Sequence, residues 1–190
     1  KDLALNDYAG KFRYMGFIDG DEFVFVRNST GGGIGSLYRF IDEFMTSHPN
    51  AGGIGINWLI FGSSGHIARP EGGALENFTM CSDKDYHDNH TIKTICDPTK
   101  VLSASVHMPF FYRGFHNLYE NGEVIPYGEE LEIHWDKIRI NHYFCKSLEE
   151  YTAIKMERGD VMFGATRKKL DFFRYRDQNV IHDTEILSHI

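Results

Sequence analysis

The sequence predicts an α/β fold, a mixed sheet flanked by helices, and three observations point there. Apolar runs of strand character alternate along the chain with segments whose apolar residues recur at helical spacing. A favoured hairpin pair, Asn121-Gly122, joins two of the later runs, so part of the sheet is expected to be antiparallel. With 190 residues, 42% of them hydrophobic and 14% aromatic, the chain is long enough for one domain with a well-filled core.

Taken in order, a short helix is predicted from about Leu3 to Lys11. The apolar run Tyr14 to Phe17 then meets an acidic cluster and resumes as Phe23-Val24-Phe25-Val26, the pattern of a buried strand interrupted at its carboxyl end. Asn28 to Gly35 reads as a loop. Ser36 is placed to cap a helix whose Leu37, Phe40, Ile41 and Phe44 fall on one face. Gly53 to Phe61 follows as a strand, and Gly62-Ser63-Ser64-Gly65-His66 as a loop of residues that tolerate unusual backbone angles. A helix is expected over Gly73 to Cys81. Lys93 to His107 reads as one or two strands broken at Asp97-Pro98, and Lys137 to Phe144 as a further strand. Ser147-Leu148-Glu149-Glu150 is a capping box, opening a helix that Gly159 stops. Residues 160–190 are expected to form a helical tail, basic and aromatic through Arg167-Lys168-Lys169 and Phe172-Phe173-Arg174-Tyr175-Arg176, with the two phenylalanines packed inward rather than laid on an anionic membrane.

Composition excludes several classes. Twenty Lys and Arg against 27 Asp and Glu give a formal charge of -7, which argues against a partner bound through its phosphate backbone, so no nucleic acid is expected. No run is apolar enough to span a bilayer. Cys81, Cys96 and Cys145 are odd in number and widely spaced, with no CxxC pair, so they read as buried thiols rather than as disulfides or zinc ligands. Sequons at Asn28, Asn77 and Asn89 are read as chance occurrences. The chain starts at Lys1 without an initiator Met or a signal peptide, and it is expected to begin inside a longer protein.

The chemistry concentrates in Phe17-Ile18-Asp19-Gly20-Asp21-Glu22-Phe23. Three carboxylates within four positions at a strand end repel one another unless a cation neutralises them, and hard oxygen ligands suit magnesium or manganese. A solvated acidic turn is the alternative. An EF-hand is not: a loop starting at Asp19 puts Val24 where glycine is required and Thr30 where a bidentate Glu is required. Gly31-Gly32-Gly33-Ile34-Gly35-Ser36 has the setting of a phosphate loop but lacks the lysine after its last glycine.

Three ordered blocks extend the reading. The acidic block, then Trp58-Leu59-Ile60-Phe61-Gly62-Ser63-Ser64-Gly65-His66, then Ile140-Asn141-His142-Tyr143-Phe144-Cys145-Lys146-Ser147 with Glu149-Glu150 and Lys155-Met156-Glu157-Arg158-Gly159, resemble the successive motifs of the family ninety-two glycosyltransferases and related family-two-like enzymes. The resemblance runs from about Leu3 to Asp183. It implies a GT-A fold, in which a strand-end DxD motif, matched by Asp19 and Asp21, holds Mn2+ or Mg2+ against the diphosphate of a nucleotide sugar. In that fold a nucleotide-binding half precedes the DxD strand. Eighteen residues precede Asp19 here, so residues 1–190 are expected to be a single domain comprising the C-terminal two-thirds of a GT-A domain.

The resemblance also implies a late histidine as third metal ligand. His142, with Lys146 close behind to meet the diphosphate, matches better than His107, which is predicted to end a strand over Val101 to Val106. The base that deprotonates the acceptor hydroxyl is implied on the helix after the acceptor loop. Glu76 fits that position, with Asp83 and Glu71 less well placed. Trp58, Gly62, Ser63, Ser64, His66, His107 and Lys146 are the expected substrate-binding residues, Trp58 either stacking on a sugar ring or lying in the core. The expected activity is inverting transfer from a nucleotide-sugar donor to a glycan or lipid-linked acceptor. A non-catalytic carbohydrate-binding or assembly module and a metal-dependent phosphoester hydrolase are the alternatives. The compartment expected is the cytoplasm, peripherally at the membrane face, with the Golgi lumen as alternative if the sequons are used.

Overall fold

The structure is a computed structural model that describes residues 7–27, 33–128, 131–158 and 169–189. The chain is mixed α/β and resolves into two compact units, one of residues 1–58 and 87–140, the other of residues 59–86 and 141–190.

The first unit is built on a sheet. The strands of this sheet are β1 (Met15–Gly16), β2 (Glu22–Val26), β3 (Ala51–Ile60), β5 (Ile92–Cys96), β8 (His116–Leu118) and β9 (Ile138–His142), in the order β1-β5-β3-β9-β2 with β8 beside β3; the last two residues of β3 and of β9, and all of β4 (Met80–Cys81), belong to the second unit. β3 pairs antiparallel with β5 and parallel with β8, so the sheet is mixed. Every residue of β3 is buried, as expected of a central strand covered on both faces. Gly52 lets the Phe111 ring lie on that strand, since a Cβ there would meet the ring at 2.3 Å. The two-stranded ribbon of β6 (Val101–Ser103) and β7 (Phe110–Phe111) completes the unit with the helix α1 (Gly33–Ser47), which packs on β2 through a face that buries Ile41, Phe44 and Met45.

Several predicted elements differ. Of the first predicted helix, residues 3–6 lie outside the described residues, 7–8 are helical, and a turn with Gly10 at φ +81° follows. Tyr14–Phe17 and Phe23–Val26 are not one interrupted strand. β1 and β2 sit at opposite ends of the strand order, and the acidic cluster is the connection between them. α1 is already formed at Gly33, so Ser36 lies within its first turn rather than at its cap. The 28–32 part of the predicted loop lies outside the described residues. β6 stops at Ser103, leaving His107 in irregular chain beyond it. The Asp97-Pro98 break is a short 3-10 turn whose cap, Asp97, accepts from the Thr99 N–H, and the Asn121-Gly122 turn forms with Gly122 at φ +90° and its N–H on the Tyr119 carbonyl.

In the second unit the helix predicted over Gly73 to Cys81 shortens to α2 (Ala74–Asn77), because Met80 and Cys81 are drawn into β4, which pairs antiparallel with β10 (Ile181–His182). The capping box forms: Glu150 N–H donates to Ser147 Oγ, and Glu150 Oε2 accepts from the Ser147 N–H and hydroxyl. It opens α3 (Leu148–Glu150), which continues as a π-helical turn over Tyr151–Met156. Gly159, Arg167 and Lys168 lie outside the described residues. Within the tail, α4 (Leu170–Arg176) turns Phe173 into a core with Phe144, Cys145 and Tyr151, against which Phe172 also packs. All three cysteines are buried, and none forms a disulfide among the described residues. Asn89 is fully buried, so its sequon is inaccessible in this fold, and Asn28 lies outside the described residues. Among the described residues no helix is long and apolar enough to cross a membrane.

Candidate functional site

The acidic cluster is a fastened turn. Glu22 N–H donates to the Asp19 carbonyl at 3.0 Å, and the Glu22 side chain reaches back so that Oε2 accepts from the Asp19 N–H at 2.9 Å. This closes residues 19–22 from both ends without using the side chains of Asp19 or Asp21. Lys93, the second residue of β5, points its ammonium at the turn. Its Nζ lies 2.7 Å from Asp19 Oδ2 and 3.5 Å from Glu22 Oε1. The Lys93 and Glu22 side chains are buried, whereas that of Asp19 is 66% exposed.

Burial pushes the Glu22 carboxyl up to about 7. The Asp19 N–H and the Lys93 charge oppose the rise, and the charges of Asp19 and Asp21 add to it. Its Oε1 is buried and accepts no hydrogen bond among the described residues. The sign of the stability effect follows. Well below its ordinary pKa of 4.5 Glu22 is protonated in both the folded and the unfolded chain; as pH rises toward about 7 only the folded chain keeps the proton. Stability attributable to this group therefore falls across that window and levels off above it. Glu22→Gln is expected to remove this slope, and urea midpoints at about pH 5 and pH 7.5 for both proteins check it; an equal slope in the variant would place the dependence elsewhere.

Sequence reasoning required a cation among these carboxylates, and the folded chain supplies one positive charge in Lys93. The Asp19 carboxylate is open to solvent, but Glu22 Oε1 faces Lys93, and among the described residues the ligand atoms of Asp19, Asp21 and Glu22 do not all come within 4.8 Å of one another. The missed residue had a signal, since a lysine inside the apolar run Ile92-Lys93-Thr94-Ile95-Cys96 is expected to be buried only with a carboxylate partner.

The same unit places Trp58 and His107 together. Trp58 is 5% exposed and its ring meets the His107 ring edge-on at 5.4 Å between centroids. His107 Nδ1 lies 3.0 Å from the Ile92 carbonyl, and its own carbonyl accepts from the Thr94 hydroxyl. A further group that sequence reasoning missed is Glu123, Glu132 and His134, whose ligand atoms lie within 4.8 Å of one another. The two carboxylates are exposed, and such surface groupings are common without an ion.

In the second unit the glycine-serine loop is bound by the chain itself. Ser63 N–H donates to Asp177 Oδ1 at 2.6 Å, Ser64 N–H to Asn179 Oδ1 at 2.7 Å, and Ser64 Oγ accepts from the Met80 N–H. Ser64 and Gly65 take the left-handed region, with φ +52° and +80°. Gly62 is required because a Cβ there would lie 2.4 Å from the Gln178 carbonyl oxygen. Two of the loop's N–H groups are thus held by Asp177 and Asn179. His66 accepts the Leu148 N–H at its carbonyl and sets its ring edge-on to Phe78.

His142 is buried at the end of β9, edge-on to Phe144, whose ring also carries the Lys155 ammonium at 3.6 Å and the Arg176 guanidinium at 4.4 Å. Lys146 is held at φ +51°, just before the capping box. Glu76 is exposed on α2, and its Oε2 accepts from the Gly73 N–H. Glu71 and Asp83 are exposed as well. Of the residues the sequence singled out, Asp19, Asp21, Trp58 and His107 belong to the first unit, and Gly62, Ser63, Ser64, His66, Glu76, His142 and Lys146 to the second.

No protein-family model matches this chain, and no curated protein matches it.

Proposed function

We propose that this chain belongs to a metal-dependent glycosyltransferase that moves a sugar from a nucleotide-sugar donor to a hydroxyl of a glycan or lipid-linked acceptor, with inversion. The observation that supports the reading is the fastened acidic turn of residues 19–22, which brings the Asp19 and Glu22 carboxylates together at Lys93 and leaves Asp19 open to solvent. The ordered sequence blocks described above support it. Asp19 and Asp21 hold the ion. Bound there, Mn2+ or Mg2+ supplies charge neutralisation for the departing diphosphate.

The resemblance assigns the remaining roles. His142, or else His107, is the third ligand, Lys146 adds positive charge toward the diphosphate, and Glu76 takes the proton of the acceptor hydroxyl. Trp58, Gly62, Ser63, Ser64, His66 and His107 contact substrate. The burial of Trp58 supports a core role beside that one; with the Ser63 and Ser64 N–H groups engaged by Asp177 and Asn179, and the buried Ser63 hydroxyl accepting from the Gly65 N–H, the His66 ring is left as the loop's chemistry. The proposed compartment is the cytoplasm, supported by three buried cysteines that form no disulfide among the described residues and by a buried Asn89.

The test is release of nucleoside diphosphate by the full-length protein that requires both Mn2+ and a glycan acceptor. Release of free phosphate or sugar without any acceptor would instead identify a phosphoester hydrolase. A second reading, a carbohydrate-binding or assembly module, is favoured by one observation: Lys93 already meets the Asp19 charge. Calorimetry that detected glycan binding but no metal-dependent nucleotide-sugar binding would select it.

A further inference from the structure

We infer that the first unit carries a subsite for one neutral sugar residue, in the cavity of about 250 Å³ lined by Arg13, Tyr14, Met45, Thr46, Asp97 and Lys100. Such a site deepens the reading of a glycan acceptor and rests on it for the choice of a sugar among hydroxyl-rich ligands. The cavity itself shares no residue with the acidic turn and needs no ion.

Three elements of the first unit make it. Arg13 and Tyr14 come from the chain entering β1, Met45 and Thr46 from the last turn of α1, and Asp97 and Lys100 from the 3-10 turn that follows β5. The volume suits a single six-membered sugar ring and is too small for a nucleotide, since pockets for larger organic ligands start at about 300 Å³.

Polar atoms of both signs face a ligand here. Asp97 Oδ1 accepts from the Thr99 N–H and hydroxyl, at 3.0 and 2.6 Å, while Oδ2 lies 3.8 Å from Lys100 Nζ. That gap is too long for a direct hydrogen bond. One ligand hydroxyl bridges it by accepting from the ammonium and donating to the carboxylate; an ammonium group only donates and a carboxylate only accepts. Lys100 is held for this role by its bond to the Ala51 carbonyl at 2.9 Å and by the Phe115 ring at 4.8 Å. Arg13 sets Nη1 2.6 Å from Asp42 Oδ1, the same oxygen that accepts from the Tyr14 hydroxyl, and its guanidinium has further N–H donors to offer. The Thr46 hydroxyl both donates and accepts, and the buried Met45 supplies apolar surface for ring C–H groups.

Charge balance selects the ligand class. Arg13 and Lys100 are offset by Asp42 and Asp97, so an anion meets Asp97 and a cation meets two basic groups. A neutral ring with several hydroxyls satisfies donors and acceptors together. As a single residue it is expected to bind in the millimolar range.

The experiment applies saturation-transfer NMR and calorimetry to the protein without metal or nucleotide. The probes are the methyl glycosides of glucose, galactose and mannose, with phosphate and glucuronate as anionic probes. Binding of at least one neutral glycoside is expected. Thr46 is exposed, so Thr46→Phe fills the cavity from its rim and is expected to abolish binding. Asp97→Asn keeps an oxygen for the Thr99 groups but turns an NH2 toward Lys100, and is expected to weaken binding about tenfold or more. Circular dichroism melts check that both variants are folded; where either is not, Lys100→Met takes its place, with a loss of about tenfold expected. Binding that survives these substitutions, or a preference for the anions, overturns the subsite. No binding of any glycoside at about 50 mM also overturns it. The transferase reading then still stands or falls on acceptor-dependent release of nucleoside diphosphate, which is measured separately.

Discussion

Asp21→Ala is expected to reduce manganese-dependent transfer by the full-length protein about a thousandfold, the loss of ~4 kcal/mol of transition-state stabilisation, with little change in folding stability. The separation of the two effects comes from how the turn is made. Residues 19–22 are closed by the Glu22 N–H on the Asp19 carbonyl and by Glu22 Oε2 on the Asp19 N–H, and neither bond uses the Asp21 side chain. Alanine at 21 therefore leaves the backbone of the turn, the buried Glu22 carboxyl and the Lys93 contacts in place. On the proposed reading it also removes one negative oxygen ligand from a site whose net negative charge Lys93 has already reduced. An ion bound through Asp19 alone, beside an ammonium, has little to hold it. Kinetics at saturating donor, together with thermal melts, separate the outcomes. Near-normal manganese-dependent transfer by Asp21→Ala would remove this residue from the ion site, and equal loss of folding and activity would make its role structural.

Which parts of this arrangement the sequence made legible depends on how local their causes are. The long strand Gly53 to Phe61, the apolar face of α1, the Asn121-Gly122 turn and the Ser147–Glu150 capping box follow from neighbours within a few residues, and all four are present. The features that differ depend on distant partners. Nothing near Tyr14 to Phe17 indicates that it pairs with Ile95 and Cys96 while Phe23 to Val26 joins the other edge of the sheet. Likewise the loss of helix at Met80 and Cys81 is caused by Ile181 and His182, a hundred residues on. The candidate site divides in the same way. Three carboxylates at a strand end were legible as a charge problem, but the choice of Lys93 as their partner is a property of strand order. The engagement of the Ser63 and Ser64 N–H groups by Asp177 and Asn179 is equally non-local, and residue spacing within Gly62 to His66 does not encode it.

Glu120 is the sharpest case, and its removal is expected to have the largest effect on stability. In sequence it stands directly before the Asn121-Gly122 turn. In the structure it is 4% exposed, and its carboxylate accepts from three successive backbone N–H groups, Asp136 at 2.7 Å, Lys137 at 3.0 Å and Ile138 at 2.8 Å. Those groups lead into β9, the strand between β3 and β2 in the sheet order, so the carboxylate fixes the point at which a central strand begins. Glu120→Ala leaves the N–H groups without that acceptor where the chain is turning into the sheet, and charged hydrogen bonds to backbone donors are the stronger kind. The expected loss is about 3–4 kcal/mol. Glu120→Gln keeps one acceptor oxygen but turns an NH2 donor toward N–H donors, so it is expected to lose about half as much. Urea denaturation of the three proteins at neutral pH measures both, with the slope against denaturant unchanged if the unfolded state is unaffected. A loss below about 1 kcal/mol in Glu120→Ala would mean that water replaces the carboxylate at these N–H groups and that β9 is anchored by its sheet neighbours instead.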